Sequence, residues 1–142
     1  QKCLHGILNR DGVVGGCSAG AALMSRVMIL EGDTVPVEAK GFDLLDGVIV
    51  DQHLLARNRL WRLEQMLDAH PTCVGLGVDE ATAVVIDSKS QRMHAVGESY
   101  VLVCLPSSKT SSRRIEILKP NDDVSLAELS AGHHAFVPPG GY

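Results

Sequence analysis

Residues 13–25 read VVGGCSAGAALMS, with glycines at 15, 16 and 20 gathered around Ser18. Gly16-Cys17-Ser18-Ala19-Gly20 matches the pattern G-x-S-x-G. VVGG before it reads as a short buried strand, and SAGAALMSRVMIL as a helix. A strand that turns sharply into a helix through small residues presents the central serine hydroxyl at the edge of a sheet, a nucleophile elbow. Ser18 then stands at a helix amino terminus, where unpaired N–H groups and the helix dipole stabilise developing negative charge. The N–H of Ala19 is the natural first donor of such an oxyanion hole. A glycine-rich strand–helix turn can also cradle phosphate. The chain has neither G-x-G-x-x-G nor a Walker lysine, so that use is disfavoured.

Outward from this turn, the pattern alternates. Cys3, Leu4, Ile7 and Leu8 fall at helical spacing, and NRDG stops that helix with Gly12 as its cap. EGDTVPVEAKG reads as a loop punctuated by Pro36 and two glycines. GVIVD (47–51) is a second buried strand. RNRLWRLEQMLDA follows as an amphipathic helix with Leu60, Leu63 and Leu67 at i, i+3 and i+7. TCVGLGVD (72–79) is a third strand. Beyond it TAVVID, RMHAVG and SYVLVCL are short strands separated by SKSQ and GE, the pattern of antiparallel hairpins. SSKTSSRR is a polar loop, IEILK a last strand and VPPGGY a tail.

Apolar strands alternating with helices imply an α/β fold: a mostly parallel, helix-covered sheet with an antiparallel hairpin extension. The chain opens on a helix that leads into a strand, which is half of a strand–helix–strand crossover. Residues 1–142 are therefore expected to be the carboxyl-terminal part of one catalytic domain, with the amino-terminal strands absent.

The 142 residues are 45% hydrophobic, enough for one packed domain, and only 4% aromatic, so Val, Leu, Ile, Ala and Met must build the core. A net charge of −4 argues against nucleic acid or a membrane surface as partner. No run of about 18 apolar residues spans a bilayer, and QKCLHGILNR lacks the apolar region of a signal peptide. Cysteines at 3, 17, 73 and 104 form no C-x-x-C pair, which disfavours a zinc site or a disulfide framework. The expectation is a cytoplasmic protein using no metal or cofactor.

A serine needs a base. His5 lies on the first helix, His70 before Pro71, His94 in a hairpin strand, and His133 and His134 in the tail. His53 differs: it follows VIVDQ at the carboxyl end of a parallel strand, on the sheet edge that carries the elbow. A third group should orient its imidazole. Asp79 and Glu80 end the next strand on the same edge, and their side chains point to opposite faces, so only one reaches His53. Asp51, two residues before the histidine, is the other candidate.

GGCSAGAA, GVIVDQHLLARNRLWRL and GLGVDEATAVVI, in this order and spacing, resemble the cyanophycinases and the related serine peptidases of the dipeptidase E group, peptidase family S51. The resemblance runs from about Gly12 to Val103. It implies a three-layer fold like that of class I glutamine amidotransferases. It also implies a catalytic triad of Ser18 as nucleophile, His53 as base and Glu80 as the acid. The dipeptidase E branch takes instead an aspartate between its serine and histidine, where this chain has Asp33, Asp43, Asp46 and Asp51.

By the same resemblance Asp51, Gln52, Arg57, Arg59 and Arg62 line the substrate pocket. The implied reaction is hydrolysis of β-aspartyl-arginine bonds, in a polymer or isopeptide, through an acyl-enzyme. An Asp-specific dipeptidase, an esterase of the same fold and an inactive hydrolase-like binding protein are the alternatives. Two departures stand out. Cys17 replaces a usual threonine, and the long amino-terminal portion of the family, with its second oxyanion donor, is not in this chain. The implied partners are therefore that segment or a companion chain, a second copy in a homodimer, and a peptide or polymer substrate.

Overall fold

In the computed structural model, described at residues 2–87, 89–106 and 113–131, the chain opens with helix α1 (Lys2–Leu8). Its end is closed by the N–H of Asp11 on the carbonyl of Leu8 (3.1 Å) and that of Gly12 on Ile7 (2.9 Å). This is the paired closure of a Schellman motif. The left-handed residue is Asp11, with φ 59°, rather than the expected Gly12. A short polar side chain tolerates that conformation, and the glycine falls one position later.

Residues 13–16 have no regular secondary structure and are not the strand the apolar pair Val13-Val14 suggests. Val13 is 88% exposed, and no strand among the described residues pairs with this stretch. A strand exists only through its ladder, which apolar content alone does not supply.

The helix after Ser18 is likewise shorter than expected. Helix α2 (Ala19–Ala22) makes one turn, and the RVMIL run becomes strand β1 (Val27–Glu31), antiparallel to β2 (Val37–Lys40). The segment expected as a loop is thus a hairpin. Carbonyls that would have continued the helix are taken by the returning chain: Leu23 accepts from Phe42 (2.7 Å), Met24 from Leu44 (2.8 Å) and Ser25 from Asp43 (3.2 Å).

Strand β3 (Val48–Gln52), helix α3 (Leu60–Ala69) and strand β4 (Val74–Val78) form a strand–helix–strand unit. Then come β5 (Thr82–Asp87), β6 (Arg92–Gly97), β7 (Val101–Leu105), β8 (Arg114–Leu118), β9 (Asp123–Ser125) and α4 (Leu126–Ala131). The central sheet has the order β3-β4-β7-β8, and β5-β6-β9 form a second sheet. Only β3 and β4 pair in parallel; every other pairing between the described strands is antiparallel. The fold is α/β with mixed sheets, and the expected mostly parallel sheet is corrected to that extent. The connection SKSQ is too short for anything but an antiparallel pair, β5 with β6. GE instead carries the chain from β6 in one sheet to β7 in the other, so the hairpin expected between RMHAVG and SYVLVCL does not form.

Alternation along β3 sorts its residues between two cores. Ile49 packs with Leu63, Met66 and Leu67 of α3 and with Ile29 of β1. Val50 faces Leu76, Met93, Ala95 and Val124 on the side of the β5-β6-β9 sheet. Full burial of a leucine such as Leu63 or Leu67 is worth about 1.5–3 kcal/mol. The central sheet is thus covered by a helix on one face and by a second sheet on the other. His133, His134, the tail and residues 107–112 of the polar loop lie outside the described residues.

Candidate active site

Because β3 and β4 run in parallel with Gln52 opposite Val78, whatever follows each strand emerges on one edge. His53 follows β3, and Asp79 and Glu80 follow β4. The elbow delivers Ser18 to the same place: α2 packs beside β3, and the backbone at Ser18 is held at φ 53°, ψ −121°. Gly16 makes this turn possible. A Cβ there would lie 2.1 Å from the carbonyl oxygen of Gly20, whereas one on Gly20 would meet nothing within 4 Å.

The Ser18 Oγ lies 3.0 Å from His53 Nε2, and His53 Nδ1 lies 2.8 Å from Glu80 Oε1. A carboxylate only accepts, so Nδ1 carries the proton and Nε2 is left to accept from the serine hydroxyl. Three residues in or beside this relay have left-handed backbones: Ser18, His53 at φ 53° and Ala81 at φ 50°. Non-glycine residues in that region carry strain, which clusters at functional sites. The Ala19 N–H has no acceptor among the described residues and stands at the first turn of α2 beside the hydroxyl.

The two other candidates for the acid are engaged elsewhere. Asp79 accepts the N–H groups of Leu55 (3.1 Å) and Ala56 (2.9 Å) and the hydroxyl of Ser99 (2.6 Å). Partial burial raises its pKa, but the hydrogen bonds from Ser99 and from the backbone of Ala56, Glu80 and Leu55 outweigh this and hold it below the usual range. Asp51 is completely buried on the α3 side of the sheet and pairs with Arg62, itself 3% exposed. Arg62 Nε donates to Asp51 Oδ2 at 2.7 Å, and its Nη2 donates to Oδ1.

Two cavities meet at Gln52. The larger, about 650 Å³, is lined by Ser18, His53 and Glu80, with Val50, Leu76 and Val78 as apolar walls. The second, about 390 Å³, lies between the β1–β2 turn and residues Gln52, Arg59 and Arg62. Arg59 Nη1 donates to both the main-chain carbonyl (3.0 Å) and the side-chain oxygen (3.1 Å) of Gln52. That side-chain oxygen is also 3.5 Å from the Ser18 hydroxyl. Desolvation and then the neighbouring Arg62 lower the Arg59 pKa, against the pull of Asp51.

Of the residues expected to line a pocket, Gln52 and Arg59 do so. Arg62 forms a wall while its guanidinium is committed to Asp51. Asp51 has no exposed surface, and Arg57 is exposed outside both cavities, so neither lines a pocket here. Ser99 was not singled out from the sequence, and nothing local in SYVLVCL marks it; its contact with Asp79 arises from the fold. Among the described residues no three His, Cys, Asp or Glu side chains converge on a metal position, and no helix is long and apolar enough to cross a membrane.

Comparison with known proteins shows the family. Residues 2–94 match the model of Peptidase family S51. The cyanophycinase of Synechococcus elongatus is 28% identical over 157 aligned positions, covering 95% of this chain and 48% of that protein. The cyanophycinase of Geminocystis herdmanii is 37% identical over 97 positions, covering 63% and 35%. A solved peptidase from an acI-B1 Actinobacterium superposes with a TM-score of 0.52 at 24% identity, over 81% of this chain and 46% of that one, which is a likeness of fold. The chain spans about half the length of the curated cyanophycinase of Synechococcus elongatus.

Proposed function

This chain belongs to peptidase family S51, and on that premise we propose that it carries the catalytic centre of a serine-type peptidase. The observation that carries the reading is the Ser18–His53–Glu80 relay, with contacts of 3.0 and 2.8 Å at a left-handed serine.

In this reaction Ser18 Oγ attacks the scissile carbonyl carbon as its proton passes to His53 Nε2. The resulting oxyanion is held by the Ala19 N–H. Collapse breaks the C–N bond, and His53 returns the proton to the departing amine. Water then attacks the acyl-serine, giving a proton to His53. The ester bond to Ser18 breaks as His53 returns that proton to Ser18 Oγ, releasing the acid and restoring the hydroxyl. Glu80 accepts the Nδ1–H throughout and stabilises the imidazolium that forms twice in the cycle.

The proposed substrates are β-aspartyl-arginine linkages, which leave a free main-chain carboxylate beside the scissile bond. Arg59, at the junction of the two cavities, offers a planar guanidinium suited to such a carboxylate. The finer reading rests on the likeness to cyanophycinases; an Asp-specific dipeptidase or an esterase would use the same relay.

A fluorophosphonate probe tests the chemistry, since it bonds only to an activated serine and expels fluoride. Labelling of the wild type at Ser18, absent in Ser18→Ala, is the expected result. An unlabelled wild type would leave a hydrolase-like binding protein. Cleavage of β-linked but not α-linked Asp-Arg peptides is the result expected for the substrate.

A further inference from the structure

We infer that Asp79 and Ser99 form a positioning clamp that sets the His53–Glu80 contact, an inference that rests on the serine-peptidase reading above. Neither residue is hydrogen-bonded to Ser18 or to the His53 ring. Asp79 Oδ1 takes the N–H groups of Leu55 (3.1 Å) and Ala56 (2.9 Å), in the turn that His53 begins. That turn is closed by the Arg57 N–H on the His53 carbonyl (3.0 Å). Asp79 Oδ2 takes the hydroxyl of Ser99 at 2.6 Å.

Ser99 is also bound through its backbone. Its N–H donates to Thr82 Oγ1 at 2.9 Å, and that hydroxyl donates to the carbonyl of Glu80 at 3.0 Å. A single residue, brought in by the chain entering β7, therefore joins the turn behind the base to the strand end that bears the acid.

The relay needs such a device. His53 and Ala81 both hold left-handed backbones that an isolated chain would leave. The Glu80 side chain is 54% exposed, so water competes for its oxygens and little packing fixes it. Its 2.8 Å contact with His53 depends on where the two backbones are held, and small misplacements cost much in a relay of this kind. A carboxylate suits the position because it only accepts and can take three converging donors at once. Asp79 thus acts through His53 and Glu80, and Ser99 acts through Asp79.

The test is the rate of Ser18 labelling by a fluorophosphonate, resolved into binding and the maximal bonding rate, on the full-length protein. Ser99→Ala removes one hydroxyl and leaves both backbone bonds of Asp79 in place, so it should fold. The expected result, read well below the melting temperature so that the variant is fully folded, is a maximal labelling rate about tenfold lower, probe binding unchanged, and recovery to within about threefold in Ser99→Thr, which keeps the hydroxyl. Labelling of Ser99→Ala at the wild-type rate would overturn the inference. So would a slowing fully accounted for by the fraction of protein unfolded, or a Ser99→Thr variant as slow as Ser99→Ala. An unlabelled wild type would instead remove the serine-peptidase reading, and the clamp with it.

Discussion

Glu80 and Asp79 are neighbours in the chain, yet only Glu80 meets the imidazole: its Oε1 lies 2.8 Å from His53 Nδ1, while the Asp79 carboxylate faces Leu55, Ala56 and Ser99. The division of labour between two adjacent acids has direct consequences for their variants. Glu80→Gln should lower turnover by roughly 10²–10⁴-fold with little change in melting temperature, because an amide no longer selects the tautomer that accepts from Ser18. Steady-state kinetics beside thermal unfolding check this. Comparable turnover in Glu80→Gln and wild type would return the orienting role to another group.

Asp79 should reveal itself in stability. Its pKa is depressed in the folded protein, because hydrogen bonds to Ser99 and the backbone outweigh its desolvation. Stability from this group is therefore present above the unfolded-state aspartate pKa and is lost as pH falls through the lower folded value. Asp79→Asn should be less stable than wild type at neutral pH, with the gap closing in acid. Denaturant midpoints at pH 7 and below pH 3 measure it, and a gap independent of pH would contradict it.

The elbow makes a sharp distinction between its two framing glycines. Gly16→Ala would place a methyl 2.1 Å from the Gly20 carbonyl and 2.5 Å from Met24 Cε. The backbone must shift, and Ser18 with it. Gly20→Ala meets open space and adds a better helix former in α2, so it should keep stability within about 1 kcal/mol. Fluorophosphonate labelling should collapse in the first and persist in the second.

The buried Asp51–Arg62 pair is a structural charge pair, and removing one member should be worse than removing both. Arg62→Leu alone leaves Asp51 buried without its cation, which costs on the order of 3–5 kcal/mol. Asp51→Leu combined with Arg62→Leu should regain much of that loss. Equilibrium unfolding of the two single variants and the double variant closes the cycle. Simple additivity would show that the two groups do not depend on each other.

Arg59 and Arg57 should separate when substrate is scored. Arg59→Lys keeps a charge but loses the planar guanidinium that can hold Gln52 through Nη1 and offer its remaining N–H groups to a carboxylate, so cleavage of a β-linked Asp-Arg peptide should fall roughly tenfold to a hundredfold. Arg57→Lys, exposed outside both cavities, should stay within about twofold. The reverse order would move the carboxylate contact to Arg57.

Much of this centre could be read from short-range pattern. The G-x-S-x-G turn, the histidine closing an apolar strand, the amphipathic α3 and the β5–β6 hairpin are local or periodic features, and local sterics and periodicity are properties a sequence carries on its face. The position of His53 beside Asp79 and Glu80 followed too, since the parallel strands β3 and β4 must end on a common edge.

What the linear chain left open depended on partners distant in sequence. VVGG carries strand-like residues but finds no ladder among the described residues, so it forms no strand. RVMIL could have continued a helix until residues 42–44 captured the carbonyls of Leu23, Met24 and Ser25. Asp51, Asp79 and Glu80 are chemically similar carboxylates within reach of one strand edge. Alternation turns Asp51 toward Arg62, Ser99 arrives from the far side of a hairpin to hold Asp79, and the left-handed Ala81 lets the chain leave Glu80 facing His53. Which acid completes the relay is a matter of backbone direction at the ångström scale, and that direction exists only once the strands have paired.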